Sequence, residues 1–331
     1  MMTFFSHLIG EHSRLIRDAT CAAVLPLSLG ACATASHQAQ EEAIAQEATG
    51  QVVPAQASDM NSAIAQLYRW WGLFEAPTDT DLSPQLPDLF ADNVQVKMTG
   101  IELDGADAVK AAITSRPVQG RIAHHVTDIQ LTTVDHKNFR LDVRFIAQVE
   151  EDGVLRSTPG YYSHTMIKRP NGMLVFSEIT AGLKTPIALP EYQSTYLENR
   201  AKVTIYRFQS IMDSLADPSP LKDLIKPDAT FAGLIAADSK DQGATRSAVI
   251  TGYDALAAWF AQGPDIYASV SHQELEFFNL TPLGDDRYQV IAQFEWVGRT
   301  HNGETSVRHN PRTWILHDAG GQYMKIEALL E

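Results

Sequence analysis

Two strand-like stretches carry the residues best suited to proton chemistry. Strand alternation groups side chains on one face of each stretch: His125 with Thr127, Ile129 and Leu131, and Tyr162 with His164 and Met166. A histidine near its ordinary pKa exchanges protons at neutral pH, and a nearby carboxylate or phenol suits it to that task. The two stretches therefore predict either an acid–base site or a pocket wall built from hydrogen-bonding histidines.

A histidine farther along the chain gives a weaker signal. His272 shares strand parity with Glu274 and Glu276, whereas Leu275 and Phe277 take the other face. Either a bulge breaks the alternation, or His272 points outward. Histidine and glutamate on one strand face can bind a divalent metal, but a solvated face is the expectation, and no metal site is predicted.

Composition excludes several functional classes. Acidic residues number 40 against 26 basic ones, so the net charge is −14. No stretch forms the Lys/Arg stripe that a phosphate backbone needs, and no nucleic-acid partner is predicted. The sequence has no Gly-rich phosphate loop, no His-Glu-x-x-His and no nucleophile elbow, and no cofactor is predicted. A small basic cluster could hold a carboxylate or simply form a rim: Arg308, His309 and Arg312.

An internal repeat organises the chain from Asp59 onward. The matched segments keep their order: Tyr68-Arg69 with Tyr206-Arg207, Glu75 with Asp213, Gly105-Ala106-Asp107 with Gly252-Tyr253-Asp254, His125 with His272, and Ile146-Ala147-Gln148 with Ile291-Ala292-Gln293. Such self-similarity indicates two copies of one structural unit. The predicted domains span residues 59–182 and 195–331, and a Pro-marked linker spans 183–194.

Hydrophobic periodicity predicts helices first and strands second in each repeat. A helix capped by Asn61 or Ser62 would bury Tyr68 and Trp71, and a short helix is expected near Leu86–Phe90. The period then changes to two, and turns at Asp152-Gly153 and Asn302-Gly303 predict hairpins, since Gly after Asp or Asn suits positive φ. Helices followed by an antiparallel sheet indicate an α+β fold.

These features resemble the nuclear-transport-factor-2-like superfamily, in its SnoaL-like and ketosteroid-isomerase-like branch. Each repeat shows the frame: a Tyr-containing first helix, a Leu-rich segment with Asp, a Gly-x-x-x-hydrophobic helix, a strand that begins near a His and a final Gly-turn strand. The resemblance implies two tandem cone-shaped domains. In each cone, a curved, mostly antiparallel sheet packs around a long helix and short helices. Members often pair through their sheet faces, which would bury Ile146 and Ile291 in an internal pseudo-dimer.

The resemblance also implies roles for the first repeat. His125 matches the strand-start histidine that often serves as acid or base, so it is the predicted general base. Glu75 would orient it or take a proton, and Tyr68 or Tyr162 would donate a hydrogen bond to a developing oxyanion. The predicted ligand-binding wall comprises His164, Tyr162, Trp71 and His272.

The N-terminal segment resembles a bacterial lipoprotein signal. Leu29-Gly30-Ala31-Cys32 is similar to a lipobox, which predicts a signal peptide over 1–31, lipidation of Cys32 and a flexible tether over 32–58. Because Ala33 rather than Asp follows the cysteine, the expected address is the outer membrane, facing the periplasm. Cys21 and Cys32 are the only cysteines, so the mature globular part would contain no thiol.

Three functions remain open on these residues. The first is a lipid-anchored protein that binds a small apolar or aromatic ligand in a cone. The second is a cofactor-independent dehydratase, isomerase or cyclase that uses His125. The third is a non-catalytic envelope module that binds another protein. A fold alone does not choose among them.

Overall fold

The chain forms two curved sheets, each packed on a long helix. The computed structural model describes residues 53–54, 56–98, 100–115, 120–188, 191–235, 247–309 and 311–330. The described chain contains two seven-stranded sheets and a few helices. This confirms the predicted α+β class with two cone-shaped units, which we call the first cone and the second cone.

The first cone begins with a two-residue edge strand, which is followed by a long helix. Its elements are β1 (Val53–Pro54), α1 (Ala57–Glu75), a 3₁₀ turn (Ser83–Gln85), β2 (Phe90–Met98), β3 (Ile101–Asp104), α2 (Ala106–Thr114), β4 (Arg121–Thr133), β5 (Asn138–Glu151), β6 (Val154–Lys168) and β7 (Leu174–Leu183). The helix expected near residues 86–90 is wrong. The single helical turn ends at Gln85, and the strand β2 begins at Phe90.

The second cone repeats this order of elements. They are α3 (Tyr196–Ser214), a 3₁₀ turn (Ser219–Asp223), β8 (Ile225–Ile235), β9 (Ser247–Thr251), α4 (Gly252–Phe260), α5 (Gly263–Ile266), β10 (Tyr267–Gly284), β11 (Arg287–Thr300), β12 (Thr305–Arg308), β13 (Pro311–His317) and β14 (Lys325–Leu330). Among the described helices, none is long and apolar enough to cross a membrane.

Both sheets have the same strand order, apart from the edge strand β1 in the first and the extra strand β12 in the second. The first runs β1-β4-β5-β6-β7-β2-β3, and the second runs β10-β11-β13-β14-β8-β9 with β12 also paired to β11. In each sheet, the strand after the 3₁₀ turn lies parallel to the last strand, and the remaining pairs are antiparallel. The predicted hairpin turn at Asp152-Gly153 is confirmed, with φ of 51° and 74°. Gly303 likewise has positive φ between β11 and β12.

The two cones meet through their long helices. Helices α1 and α3 pack against each other, and the Tyr68 and Tyr206 rings stack between them with centroids 6.0 Å apart. One continuous buried cluster extends through both cones. The expected sheet-to-sheet packing through Ile146 and Ile291 is therefore wrong. Those side chains are only half-buried, and the cones pack through α1 and α3.

Candidate functional site

The first cone directs His124, rather than His125, toward its interior. The pairing of β4 with β5 shifts register between Val126 and Asp128, so Thr127 is an extra residue in the strand. Such a bulge reverses the alternation on one side of it. His124 is consequently buried, whereas His125 lies half-buried on the other face and its Nε2 is 2.9 Å from Gln148 Oε1. The inward orientation predicted for His125 is corrected by this bulge.

Glu75 lies at the end of α1 and holds His124 in place. Its Oε1 accepts hydrogen bonds from the His124 backbone N–H at 2.9 Å and from Thr195 Oγ1 at 2.9 Å, and it is 3.0 Å from His124 Nδ1. Its Oε2 accepts from Asn199 Nδ2 at 2.8 Å. The carboxylate therefore has enough donors to remain stable while buried. The structure therefore brings Glu75 to His124 rather than to His125.

A continuous stack of rings fills the interior of the first cone. Trp71 stacks on His124 with centroids 5.1 Å apart, and Phe145 stacks on Tyr162 at 4.7 Å. Tyr162 in turn stacks on His164 at 4.9 Å. The inward stripe predicted on β6 is confirmed, because Tyr162, His164 and Met166 are all buried. These rings form the core of the cone.

Burial suppresses ionisation in this interior. His164 is 0% exposed, and within the described residues neither of its ring nitrogens has a hydrogen-bond partner. Burial lowers the pKa of His164 from 6.5 to about 3. Burial, with Glu75 adding to it, raises the pKa of Tyr68 and of Tyr162 well above the ordinary 10.0. A neutral imidazole and two neutral phenols are therefore present at physiological pH.

The second cone holds a corresponding histidine–carboxylate pair. Asp213, at the end of α3, lies with Oδ1 2.6 Å from His272 Nδ1, and its Oδ2 accepts from the His272 backbone N–H at 2.9 Å. Register shifts on either side of Leu275 account for the sequence pattern around His272. A bulge, rather than an outward orientation, thus explains the broken alternation, and His272 is buried.

Arg312 and Asp213 together set the tautomer of a neutral His272. Arg312 Nη1 lies 3.3 Å from His272 Nε2. Because a guanidinium group can only donate, Nε2 must accept, and the single ring proton of a neutral imidazole then lies on Nδ1. His272 therefore donates from Nδ1 to Asp213 and presents a lone pair at Nε2. The first cone has Thr158 at the strand position of Arg312, since Ala147 pairs with Thr158 as Ala292 pairs with Arg312.

Aromatic and basic side chains border this pair on the same sheet face. Trp296 is the strand partner of both His272 and Arg308, and the Arg308 guanidinium lies 5.1 Å from the Trp296 ring centroid. Tyr267 meets the Trp296 ring edge-on at 5.7 Å. Gly298 makes room for that ring, because a Cβ at this position would lie 2.3 Å from it. Trp296, Arg308 and Arg312 are half-buried, so this end of the second cone is more open than the interior around His124.

The helix side of the second cone is also more polar. Gln209 lies 138 residues after Trp71, at the equivalent position on α3. It is 0% exposed, and neither its amide nitrogen nor its oxygen has a hydrogen-bond partner among the described residues. A buried amide without partners costs roughly 1–3 kcal/mol. A polar ligand atom or water in the cone would remove that cost.

Among the described residues, the outer face of the second sheet carries one group that could hold a metal ion. The ligand atoms of Glu276, Glu295 and His309 all lie within 4.8 Å of one another. His309 Nδ1 is 2.8 Å from Glu276 Oε1, and Gln293 donates to the same carboxylate. These side chains are partly exposed and form ion pairs. His309 therefore does not belong with Arg308 and Arg312, which lie on the inner face.

Sequence reasoning did not identify the asparagines that join the two pairs: it assigned Asn61 to a helix cap, whereas α1 begins at Ala57 with Gln56 as its N-cap. Asn61 and Asn199 are 138 residues apart, the same spacing that separates Glu75 from Asp213 and Tyr68 from Tyr206. Extending that spacing toward the start of the helices would have identified both asparagines. Trp296 and Gln209 carried no comparable signal, since neither has a like residue in the first repeat.

Comparisons with known proteins yield structural matches only. No protein-family model matches the chain, and no curated protein matches it. A putative scytalone dehydratase from Novosphingobium aromaticivorans DSM 12444 is 15% identical, with a TM-score of 0.30 over 49% of this chain and 95% of that chain. The hexachlorocyclohexane dehydrochlorinase LinA-type3 from Novosphingobium barchaimii LL02 is 13% identical, with a TM-score of 0.32 over 41% and 97%.

A third solved structure matches a similar share of this chain. A putative ketosteroid isomerase from Shewanella frigidimarina NCIMB 400 is 14% identical, with a TM-score of 0.31 over 38% of this chain and 97% of that chain. Each of the three spans less than half of this chain and nearly all of the matched protein. Similarity at this level assigns no activity to the chain.

Proposed function

We propose that the protein binds a small organic anion with an aromatic body, and that the second cone holds it. The observation that carries this proposal is the His272 ring fixed between Asp213, at 2.6 Å, and Arg312, at 3.3 Å, at the half-buried end of a cone. The proposal narrows the small apolar or aromatic ligand expected from the sequence to an anionic one.

Charge and shape at this end favour a carboxylate. Arg312 Nη1 lies 3.3 Å from His272 Nε2, and the Arg308 guanidinium lies over the ring of Trp296, the strand partner of His272. Guanidinium groups bind carboxylates with two parallel hydrogen bonds. Trp296 offers a ring to the ligand body, and Gln209 offers an amide to a polar atom deeper in the cone.

The first cone serves in this proposal as structural support. His124 is 1% exposed and covered by Trp71, and His164 lies within the ring stack. Polar atoms without partners occur there too, on His164 and Thr158. However, among the described residues of this ring-lined interior, no positively charged side chain is present to attract an anionic ligand. The predicted set of His125, Glu75 and Tyr68 is not assembled around one point, because Glu75 binds His124.

The proposed address is the bacterial envelope. Cys32 and the signal-like segment lie outside the described residues, so the proposal rests on the lipobox-like Leu29-Gly30-Ala31-Cys32. A lipid anchor at Cys32, followed by the tether, would hold the two cones beside the membrane.

Calorimetric titration tests the binding function directly. We expect 2-naphthoate to bind the protein and the neutral 2-naphthol to bind far more weakly. Arg312→Gln should weaken 2-naphthoate binding by about 10–100-fold, the scale of one charge-assisted hydrogen bond of about 1.5–3 kcal/mol. The matched control is Arg299→Gln, an exposed arginine on the same strand as Trp296, which should leave affinity unchanged. Equal binding of naphthol and naphthoate would contradict an anion site.

A second candidate function uses the same pair as a general base. The Asp213–His272 geometry orients an imidazole with its Nε2 lone pair directed into the cone, as proton abstraction requires. The contact from Arg312 occupies that lone pair, which is why binding is proposed first. Deuterium incorporation into phenylpyruvate in D₂O distinguishes general-base catalysis from ligand binding alone. Exchange above background that disappears in His272→Gln supports catalysis, and no exchange with the wild-type protein supports binding alone.

A further inference from the structure

Each histidine-holding carboxylate is also bound by an asparagine from the other cone. Asn61, near the start of α1, donates from Nδ2 to Asp213 Oδ2 at 2.8 Å. Asn199, near the start of α3, donates from Nδ2 to Glu75 Oε2 at 2.8 Å. All four side chains are buried. The two pairs of the molecule are therefore linked reciprocally across the α1–α3 junction.

Asn61 does more than neutralise a buried carboxylate. The same Nδ2 lies 3.0 Å from the backbone carbonyl of His272. Asp213 Oδ2 in turn accepts from the His272 backbone N–H. One amide group from the first cone thus contacts both the carboxylate that orients the imidazole and the strand that carries it.

We propose that Asn61 is a positioning residue for the anion site of the second cone, so that this site is complete only when the first cone supplies it. Asn61 acts through Asp213, whose Oδ1 holds the proton-bearing Nδ1 of His272. Fixing the other oxygen of the carboxylate keeps Oδ1 in line with Nδ1, and this leaves Nε2 as the lone-pair nitrogen facing Arg312. Orientation of an imidazole through such an outer contact is a general way to fix its tautomer.

The ligand part of this inference rests on the proposed function, and its structural part does not. For that reason the test has two independent readouts in the full chain. The first is the pair of ring ¹⁵N chemical shifts of His272, which report its tautomer without any ligand. The second is the dissociation constant for 2-naphthoate.

The chain provides its own matched control. Asn61→Ala and Asn199→Ala remove the same group from equivalent positions of the two long helices and leave one buried carboxylate short of a donor in each case. A merely structural role predicts similar losses of stability for both variants and unchanged His272 shifts. A positioning role predicts that Asn61→Ala alone moves the His272 shifts toward a mixture of tautomers and weakens 2-naphthoate binding by about tenfold, while Asn199→Ala leaves both unchanged.

A second variant covers the case in which Asn61→Ala does not fold, and the two readouts cover the case in which the wild-type protein does not bind the probe. Asn61→Ser, which keeps a shorter donor, should fold more readily and show the same changes at smaller size. If the wild-type protein does not bind 2-naphthoate, the proposed function fails, and the ¹⁵N shifts still decide the positioning role. Unchanged His272 shifts in whichever Asn61 variant folds, or equal changes in Asn199→Ala, would overturn the inference.

Discussion

The buried side chain of His164 is uncharged and packs as a ring in the interior of the first cone. Its ring lies between Tyr162 and Phe176, at centroid distances of 4.9 and 4.8 Å, and burial lowers its pKa to about 3. An imidazole with that pKa is neutral at every physiological pH. It cannot serve as the acid of a proton-transfer pair near pH 7, and it packs as an aromatic ring.

The pH dependence of stability tests this account of His164. The folded-state pKa lies below the unfolded value of 6.5, so the stabilisation is present above pH 6.5 and is lost as the pH falls toward 3. Urea unfolding should therefore show wild type losing about 2 kcal/mol more than His164→Phe between pH 7.5 and pH 5.0, at about 1.4 kcal/mol per pH unit below 6.5. The exposed His136→Ala is the control and should follow wild type. Parallel pH profiles for wild type and His164→Phe would refute a neutral buried His164.

At the level of single residues, strand alternation in the sequence correctly predicted the inward-facing side chains of β6 and failed for His125 on β4. Tyr162, His164 and Met166 share the inner face of β6 as predicted, because β6 pairs with β5 without interruption. The prediction for His125 was wrong, since the extra residue at Thr127 shifts the alternation by one. A single sequence does not reveal which of two adjacent histidines points inward, because the position of a bulge in the same strand decides it.

At the level of elements, the junction between α1 and α3 determines how the cones meet. Tyr68 was predicted as an oxyanion donor, and the structure places it in a stack with Tyr206, with the Lys202 ammonium 5.5 Å from its ring centroid. The short helix expected near residues 86–90 was wrong, but the long helices and the hairpins were predictable from periodicity and from the Gly turns. Their packing partner was not, because both the helix faces and the sheet faces carry apolar residues.

A double-mutant cycle measures how much the stacking of Tyr68 on Tyr206 stabilises the junction between the two long helices. Tyr68→Leu and Tyr206→Leu should each destabilise the protein, and the pair should be coupled by about 0.5–1.5 kcal/mol, the range for aromatic pairs beyond area burial. Chemical denaturation of the wild-type protein, both single variants and the double variant gives the coupling. Additive effects, agreeing within about 0.3 kcal/mol, would mean that the two rings do not stabilise the junction together.

At the level of the whole molecule, duplication has produced one closed cone and one polar cone. The repeat predicted that both would have the same fold, because segments such as Tyr68-Arg69 and Tyr206-Arg207 are nearly identical. The catalytic set was predicted in the first repeat, whereas the anion site is proposed in the second cone, which differs from the first. That difference arises where the repeats diverge: Gln209 replaces Trp71, and Arg312 replaces Thr158. Replacing an indole and a small hydroxyl with an amide and a guanidinium changes a packed core into a site suited to an anion.

The proposed envelope address is a property of the whole molecule and has a simple test. Cys32→Ser removes the thiol that a diacylglyceryl group would modify, and it should move the protein from the membrane fraction to the soluble fraction of lysed cells. Fractionation followed by intact-mass measurement distinguishes lipidated, processed and unprocessed chains. A Cys32→Ser variant that stays in the membrane fraction, with a wild-type mass lacking any lipid, would show that Cys32 is not an anchor.

The most direct test of the central claim follows the ring resonances of three histidines that are buried in the described part of the chain, while 2-naphthoate is added to the full protein. His272, His124 and His164 report separately on the second cone, the junction side of the first cone and the ring stack. We predict that the His272 Hε1 resonance shifts saturably with ligand, while His124 and His164 do not move. A saturable shift of His124 or His164 with His272 unchanged would place the ligand in the first cone and contradict the account.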